Sequence, residues 1–205
     1  MNRALRYVFL PAFCLGLTLF RLHAQTVYFP PDAFAQDSKT DEFTAQWFSE
    51  QLHALQEPSL LESSKSRAVQ SYRFFWLRTF HHPISIRADI NPDGTGTLTV
   101  KVTSGAGGYE PGDLVTNRTQ PLSKEDITKL LDVIRDSKFL SLDAYITPDK
   151  NTVNLDGSQW VIESADKGTY HIVTRWSPKG GPIYDLGRFF LFELAHMEVP
   201  KGEMY

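Results

Sequence analysis

The chain has 205 residues, of which 21 are lysine or arginine and 24 are aspartate or glutamate. That acidic excess disfavours nucleic acid as a partner, because phosphates reward a concentrated basic surface, and it disfavours adhesion to an anionic membrane. One cysteine excludes a disulfide framework, so a packed core must hold the fold; four tryptophans and fourteen phenylalanines supply the apolar area for it.

Residues 1–24, MNRALRYVFLPAFCLGLTLFRLHA, have the three parts of a secretory signal: Arg3 and Arg6 in front, an apolar stretch from Tyr7 to Phe20, and LHA before Gln25. A bilayer span needs roughly 17 to 25 apolar residues, so this stretch is short for one. We expect cleavage, a periplasmic or extracellular product, and no stable membrane span afterwards. Cys14 follows Phe13, not the small residues that precede a lipid-attachment cysteine, and it reads as part of the signal. Residues 25–205 then contain no cysteine and carry 18 basic against 24 acidic residues.

Beyond a proline-containing lead, KTDEFTAQWFSEQLHALQEP places Phe43, Trp47, Phe48, Leu52 and Leu55 at helical spacing, with Pro58 as a stop. This predicts an amphipathic helix docked on the main body. Residues 57–70, rich in Ser, Glu and Lys, read as a linker over the surface. An N-terminal helix and linker (25–70) would thus precede a single α+β domain (71–205).

YRFFWLRTF is apolar on both alternating faces, as a central strand covered on both sides would be. ISIRADI and TLTVKV alternate around the turn NPDG and predict a hairpin. SGAGGYEPGD then reads as a mobile surface loop presenting Tyr109, and LVTNRTQ as a further strand. LSKEDITKLLDVIRDSKF is a helix: Ser123 can cap it with Asp126 three residues on, and Ile127, Leu130, Leu131 and Ile134 form its stripe.

An irregular segment, about 141–157, precedes a second hairpin, SQWVIESADKGTYHIVTRW. A type I turn with Gly168 left-handed would add a bulge and set Glu163 opposite His171. GGPIYDLGRFFLFELAHM closes the chain as a mostly buried helix with Pro182 in its first turn. The fold class is therefore α+β: a mainly antiparallel sheet of about five to six strands packed with two to three helices.

The order of strand, tight turn and strand through DGTGTL, the helix opening LSKEDI, and FLSL after it resembles a family of exported bacterial domains of unknown function. Those domains often carry a cysteine-containing turn where this chain has FHHP. The likeness covers roughly residues 72–196, and it implies the α+β fold and export while supplying no activity.

His81 and His82 beside Pro83 are the most chemically suggestive pair, since imidazole serves as metal ligand and as general base near neutral pH. Adjacent strand residues point to opposite faces, so both can join one site only where the backbone turns. No third ligand lies at H-x-x-x-H or H-x-H spacing. The glycines at 105, 107 and 108 lack the strand-to-helix context of a phosphate loop. DKNTVNLDG puts Val153 and Asn154 where a calcium loop needs an oxygen ligand and a glycine. G-x-S-x-G is absent, and without a cysteine in 25–205 thiol chemistry is excluded.

We therefore expect no cofactor, no metal and no catalytic residue, and read the protein as a non-enzymatic module binding an envelope or extracellular protein or a small ligand. Its contact surface is expected at the strand-end loops: His81, His82, Tyr109, Arg175 and Trp176. The alternative is a metal-dependent or histidine-assisted hydrolase in which folding brings an acid such as Glu110 or Asp156 to His81 or His82.

Overall fold

In the computed structural model, which describes residues 26–66, 68–147 and 156–205, the stretch YRFFWLR is buried throughout. The expected signal and most of the candidate calcium loop lie outside the described residues. YRFFWLR belongs to β1 (Gln70–Arg78), an inner strand of a six-stranded antiparallel sheet ordered β4-β3-β2-β1-β5-β6. The others are β2 (Ile84–Ile90), β3 (Gly96–Thr103), β4 (Leu114–Leu122), β5 (Ser158–Asp166) and β6 (Thr169–Trp176). Strands β1 to β4 follow one another as hairpins. Helix α3 (Lys124–Asp136) then returns the chain across one face, so that β5 pairs with the free side of β1.

Both faces of the sheet are covered, as the double apolarity of β1 requires. On one face Tyr72, Phe74, Trp76, Ile86, Val100, Trp160 and Ile162 form a core under α3 and α4 (Pro182–Arg188). On the other, Phe75, Leu77, Val161 and Ile172 pack under Tyr28, Phe29, Phe34 and α1 (Ser38–Ala54), the N-terminal layer. Helix α3 begins with the expected capping box of Ser123 and Asp126 and buries Ile127, Leu130 and Ile134. Pro182 starts α4, which opens into π-helical turns over Phe189–Leu194. Gly187 lies flat on Trp160, where a Cβ would come within 2.4 Å of the indole ring.

Three local expectations are corrected. Phe43 is 69 % exposed, because the buried stripe of α1 runs through Asp41, Phe48, Gln51 and Leu52. Five positions before Phe48 is about 140° away around the helix. Secondly, 57–70 does not simply run over the surface: Glu57 and Leu60 are buried, and Leu60–Ser64 forms a short helix, α2, capped by Ser59. The cause is the end of α1, where Gln56 turns left-handed (φ 52°), its N–H donates to the His53 carbonyl, and the Glu57 N–H donates to that of Leu52. This Schellman ending drives Glu57 inward.

Thirdly, the second hairpin has a two-residue turn, with Lys167 and Gly168 both at positive φ (48° and 88°). The primed turn matches the strand twist without a bulge, so Ser164 faces His171 and Glu163 faces Ile172. His171 consequently sits on the α3 side, its Nε2 3.0 Å from the Phe139 carbonyl oxygen, and burial holds its pKa below the ordinary value.

Candidate functional site

The strand directions gather all five predicted residues at one end of the sheet, where β1, β3 and β6 finish and β2, β4 and β5 begin. The chain turns between β1 and β2 at Thr79–Pro83, and this lets the two histidines part. The His81 Nδ1 lies 2.7 Å from the Tyr205 hydroxyl, while the His82 Nδ1 lies 2.8 Å from the Gly105 carbonyl oxygen. They do not converge on a shared point.

The glycine loop is pinned, where the sequence suggests mobility. Gly107 N–H donates to the His81 carbonyl at 2.9 Å and Gly108 N–H to that of Thr79 at 3.1 Å. A Cβ at Gly107 would sit 2.8 Å from the Arg78 backbone, so only glycine permits this approach. The Gln51 side chain donates to the Tyr109 carbonyl at 2.8 Å, tying the loop to α1 as well. Held this way, Tyr109 (63 % exposed) stands beside Phe80 (55 % exposed), with ring centroids 6.3 Å apart.

Arg175 and Trp176 share this end of the sheet but are committed locally. Arg175 donates to the carbonyls of Asp143 and Thr174, and burial lowers its pKa. The Trp176 ring lies where a Cβ on Gly157 would meet it at 2.7 Å. Residues 143–144 and 157 thus close the β6 end, and the pair is only partly exposed.

An acid does reach His81 from a remote part of the chain. It is Glu203, with an oxygen 3.7 Å from Nε2; among the described residues neither Glu110 nor Asp156 pairs with either histidine. Glu203 is engaged by Arg78, whose Nη1 lies 2.8 Å from its other oxygen. The Arg78 guanidinium stacks 4.2 Å above the Trp76 ring and also donates to the His82 carbonyl at 3.3 Å. Beside it the Tyr205 backbone oxygen accepts from the Trp160 Nε1–H at 3.2 Å and from the Ser158 hydroxyl. The acid and imidazole therefore form part of a hydrogen-bonded tail contact. Among the described residues no three His, Cys, Asp or Glu side chains are close enough to hold a metal ion.

A second polar constellation lies on the opposite face, beneath the N-terminal layer. Arg73 is fully buried and directs its Nε to Glu163 at 2.7 Å and its Nη1 to the Pro58 carbonyl at 2.8 Å. Glu57, dropped in by the end of α1, takes Arg87 at 2.9 Å and Lys101 at 3.0 Å and lies 3.4 Å from Arg73. Asp89 bonds Arg87 and Ser71, and the Tyr170 hydroxyl donates to Glu163 at 2.8 Å. Three cations thus meet three anions, which is what allows charge to be buried at all.

Burial pushes the Glu57 carboxyl up, yet Arg73, Arg87 and Lys101 outweigh it and hold it below 4.5. For Glu163 burial prevails over Arg73 and raises it. The sequence signal for this cluster is a charge on an otherwise apolar strand: Arg73 in YRFFWLR and Glu163 in WVIESA.

A shallow groove of about 480 Å³ lies at the far end of β1, lined by Tyr72, Leu131, Ile134, Phe139 and Leu140 with Arg135 and Lys138. It contains neither histidine nor acid. No protein-family model matches the chain, and no curated protein matches it in sequence.

Proposed function

We propose that the chain is exported, as the resemblance to exported bacterial domains implies, and that it is a binding module recognising a protein of the cell envelope or the extracellular space. The observation that carries this reading is the exposed Phe80–Tyr109 pair. Two large aromatic rings, more than half exposed and in contact range of one another, stand on a turn and a loop fixed by backbone hydrogen bonds. Preordered aromatics lose little conformational entropy when a partner covers them, and they dominate binding energy at protein interfaces. His82, exposed beside them, adds a polar rim. The acidic balance of residues 25–205 favours a protein over a nucleic acid.

The test is a comparison of the native chain with the F80S/Y109S double variant. A protein recovered from envelope or secreted fractions on the native chain is purified and titrated against both forms. Binding at least tenfold weaker to the variant, at unchanged melting temperature, is the expected result. Equal affinity for the two, or no partner recovered by the native chain, overturns the reading.

A further inference from the structure

On the α4 side of the same sheet end, opposite Tyr109, the lining is made of hydrogen-bond donors. Arg78 brings its guanidinium, Trp160 and Trp76 their indole N–H groups and Ser158 its hydroxyl, and His81 borders them. All but His81 are buried. A donor-lined, buried recess needs acceptors, because each unpaired N–H costs what water would have given it. The sheet end itself supplies two acceptors, the Ser158 Oγ at 2.8 Å from the Trp160 Nε1 and the His82 carbonyl at 3.3 Å from the Arg78 guanidinium, and one short segment supplies the rest. Glu203 gives its carboxylate to Arg78, Tyr205 accepts at its backbone oxygen from Ser158 and Trp160, and its hydroxyl lies 2.7 Å from the His81 Nδ1. Met204 packs on the apolar core between them.

The recess is not saturated by this segment. The Trp76 Nε1 and the Arg78 Nε are buried without a partner. Burial also lowers the Arg78 pKa despite Glu203, so the guanidinium is incompletely compensated. The contacts on the tail are those a peptide makes in a recognition groove: one charge anchor, one main-chain anchor and one aromatic end.

We propose that Arg78, His81, Ser158 and Trp160 form a peptide-binding slot for segments of the type Glu-x-Tyr, filled in this structure by Glu203 to Tyr205 and open to the same motif from another chain once that segment leaves. The slot uses none of the Phe80–Tyr109 surface and stands or falls separately from it. Occupation in cis sets the terms: the local tail is present at a high effective concentration, so a competing peptide binds weakly until the tail is displaced. The tail thereby acts as a plug.

The experiment uses the full chain with its tail anchors removed by E203A/Y205A. The pentapeptide Lys-Gly-Glu-Met-Tyr, amidated at its end so that only the groups seen here are offered, is titrated while indole fluorescence is followed. Binding to the double variant at least tenfold tighter than to the native chain is expected. That binding should be lost with Lys-Gly-Ala-Met-Ala and weakened at least tenfold by adding R78M. No binding to the folded double variant overturns the proposal, as does equal binding to native and variant chains, or equal binding of the two peptides. Should the double variant fail to fold, E203Q alone opens the charge anchor. It must then take up the peptide more tightly than the native chain does, or the proposal fails.

Discussion

Arg73 and Arg78 sit five residues apart on one strand, point to opposite faces of the sheet, and are both almost wholly removed from water. Their surroundings differ in kind. Arg73 meets two carboxylates and a main-chain carbonyl, and although burial works against its charge, Glu163 and Glu57 raise its pKa above the ordinary value. Arg78 meets a single carboxylate, itself 31 % exposed, besides the His82 carbonyl and the Trp76 ring, and burial lowers its pKa. A compensated buried charge locks elements together, whereas an undercompensated one at the end of a sheet keeps a demand for an acceptor. The first arrangement fastens the N-terminal layer, and the second is suited to recognition.

Substitution of Arg73 is the severest way to break this contrast. R73M leaves Glu163 and Glu57 buried with a cation removed, and losing one partner of a buried ionic network costs about 3–5 kcal/mol. Urea denaturation measures it. A loss below about 1 kcal/mol would show the cluster to be dispensable, since that is the range of an ordinary exposed pair.

Next in size is Glu57. E57Q removes the anion shared by Arg73, Arg87 and Lys101 and is expected to cost about 1.5–3 kcal/mol at neutral pH, the range for hydrogen bonds to charged groups. Its pH dependence carries a sign. A carboxyl held below 4.5 in the folded state contributes stability that is present above 4.5 and is lost as pH falls through the depressed folded value. Glu163, raised by burial, takes up its proton at higher pH when folded and so works in the opposite direction. E57Q should therefore flatten the fall in stability below 4.5. An acid limb of unchanged slope would place the loss elsewhere.

Sheet, hairpins and capped helices were legible in the sequence because each rests on local periodicity: alternation in ISIRADI, a capping box at Ser123, NPDG between two strands. The gathering of His81, His82, Tyr109, Arg175 and Trp176 at one end follows from the same strand directions. What was not legible came from pairing across distance. The pairing of Glu163 with His171 expected for the second hairpin fails because Lys167 accepts a left-handed conformation that the turn composition does not single out. Glu57 looked like a surface residue because its neighbours are Gln, Pro and Ser; only the left-handed Gln56 turns it inward. Glu203 lies 122 positions from His81, and nothing in GEMY marks it as the acid that returns. Phe80 does not stand out in the sequence beside the histidines, although an aromatic in a turn has no strand neighbours to cover it.

The smallest expected effect sharpens the comparison most, because it separates a locking arginine from a recognising one. R78M removes a hydrogen bond to a partly exposed carboxylate and the stacking on Trp76, while methionine keeps much of the aliphatic volume. A cation–π contact of about 0.5–1 kcal/mol and an ion pair with a partly exposed acid, about 0.2–1 kcal/mol, together are worth about 1–2 kcal/mol, less than the loss at Arg73. The sheet should stay intact, since the backbone of Arg78 pairs with Ser158 whatever its side chain is. Residues 201–205 should loosen, however, and hydrogen exchange of their amides should accelerate in R78M and remain native-like in the still-folded fraction of R73M. A loss at Arg78 as large as that at Arg73, with protection disappearing across β1 and β5 together, would make both arginines structural locks and remove the distinction between the two faces.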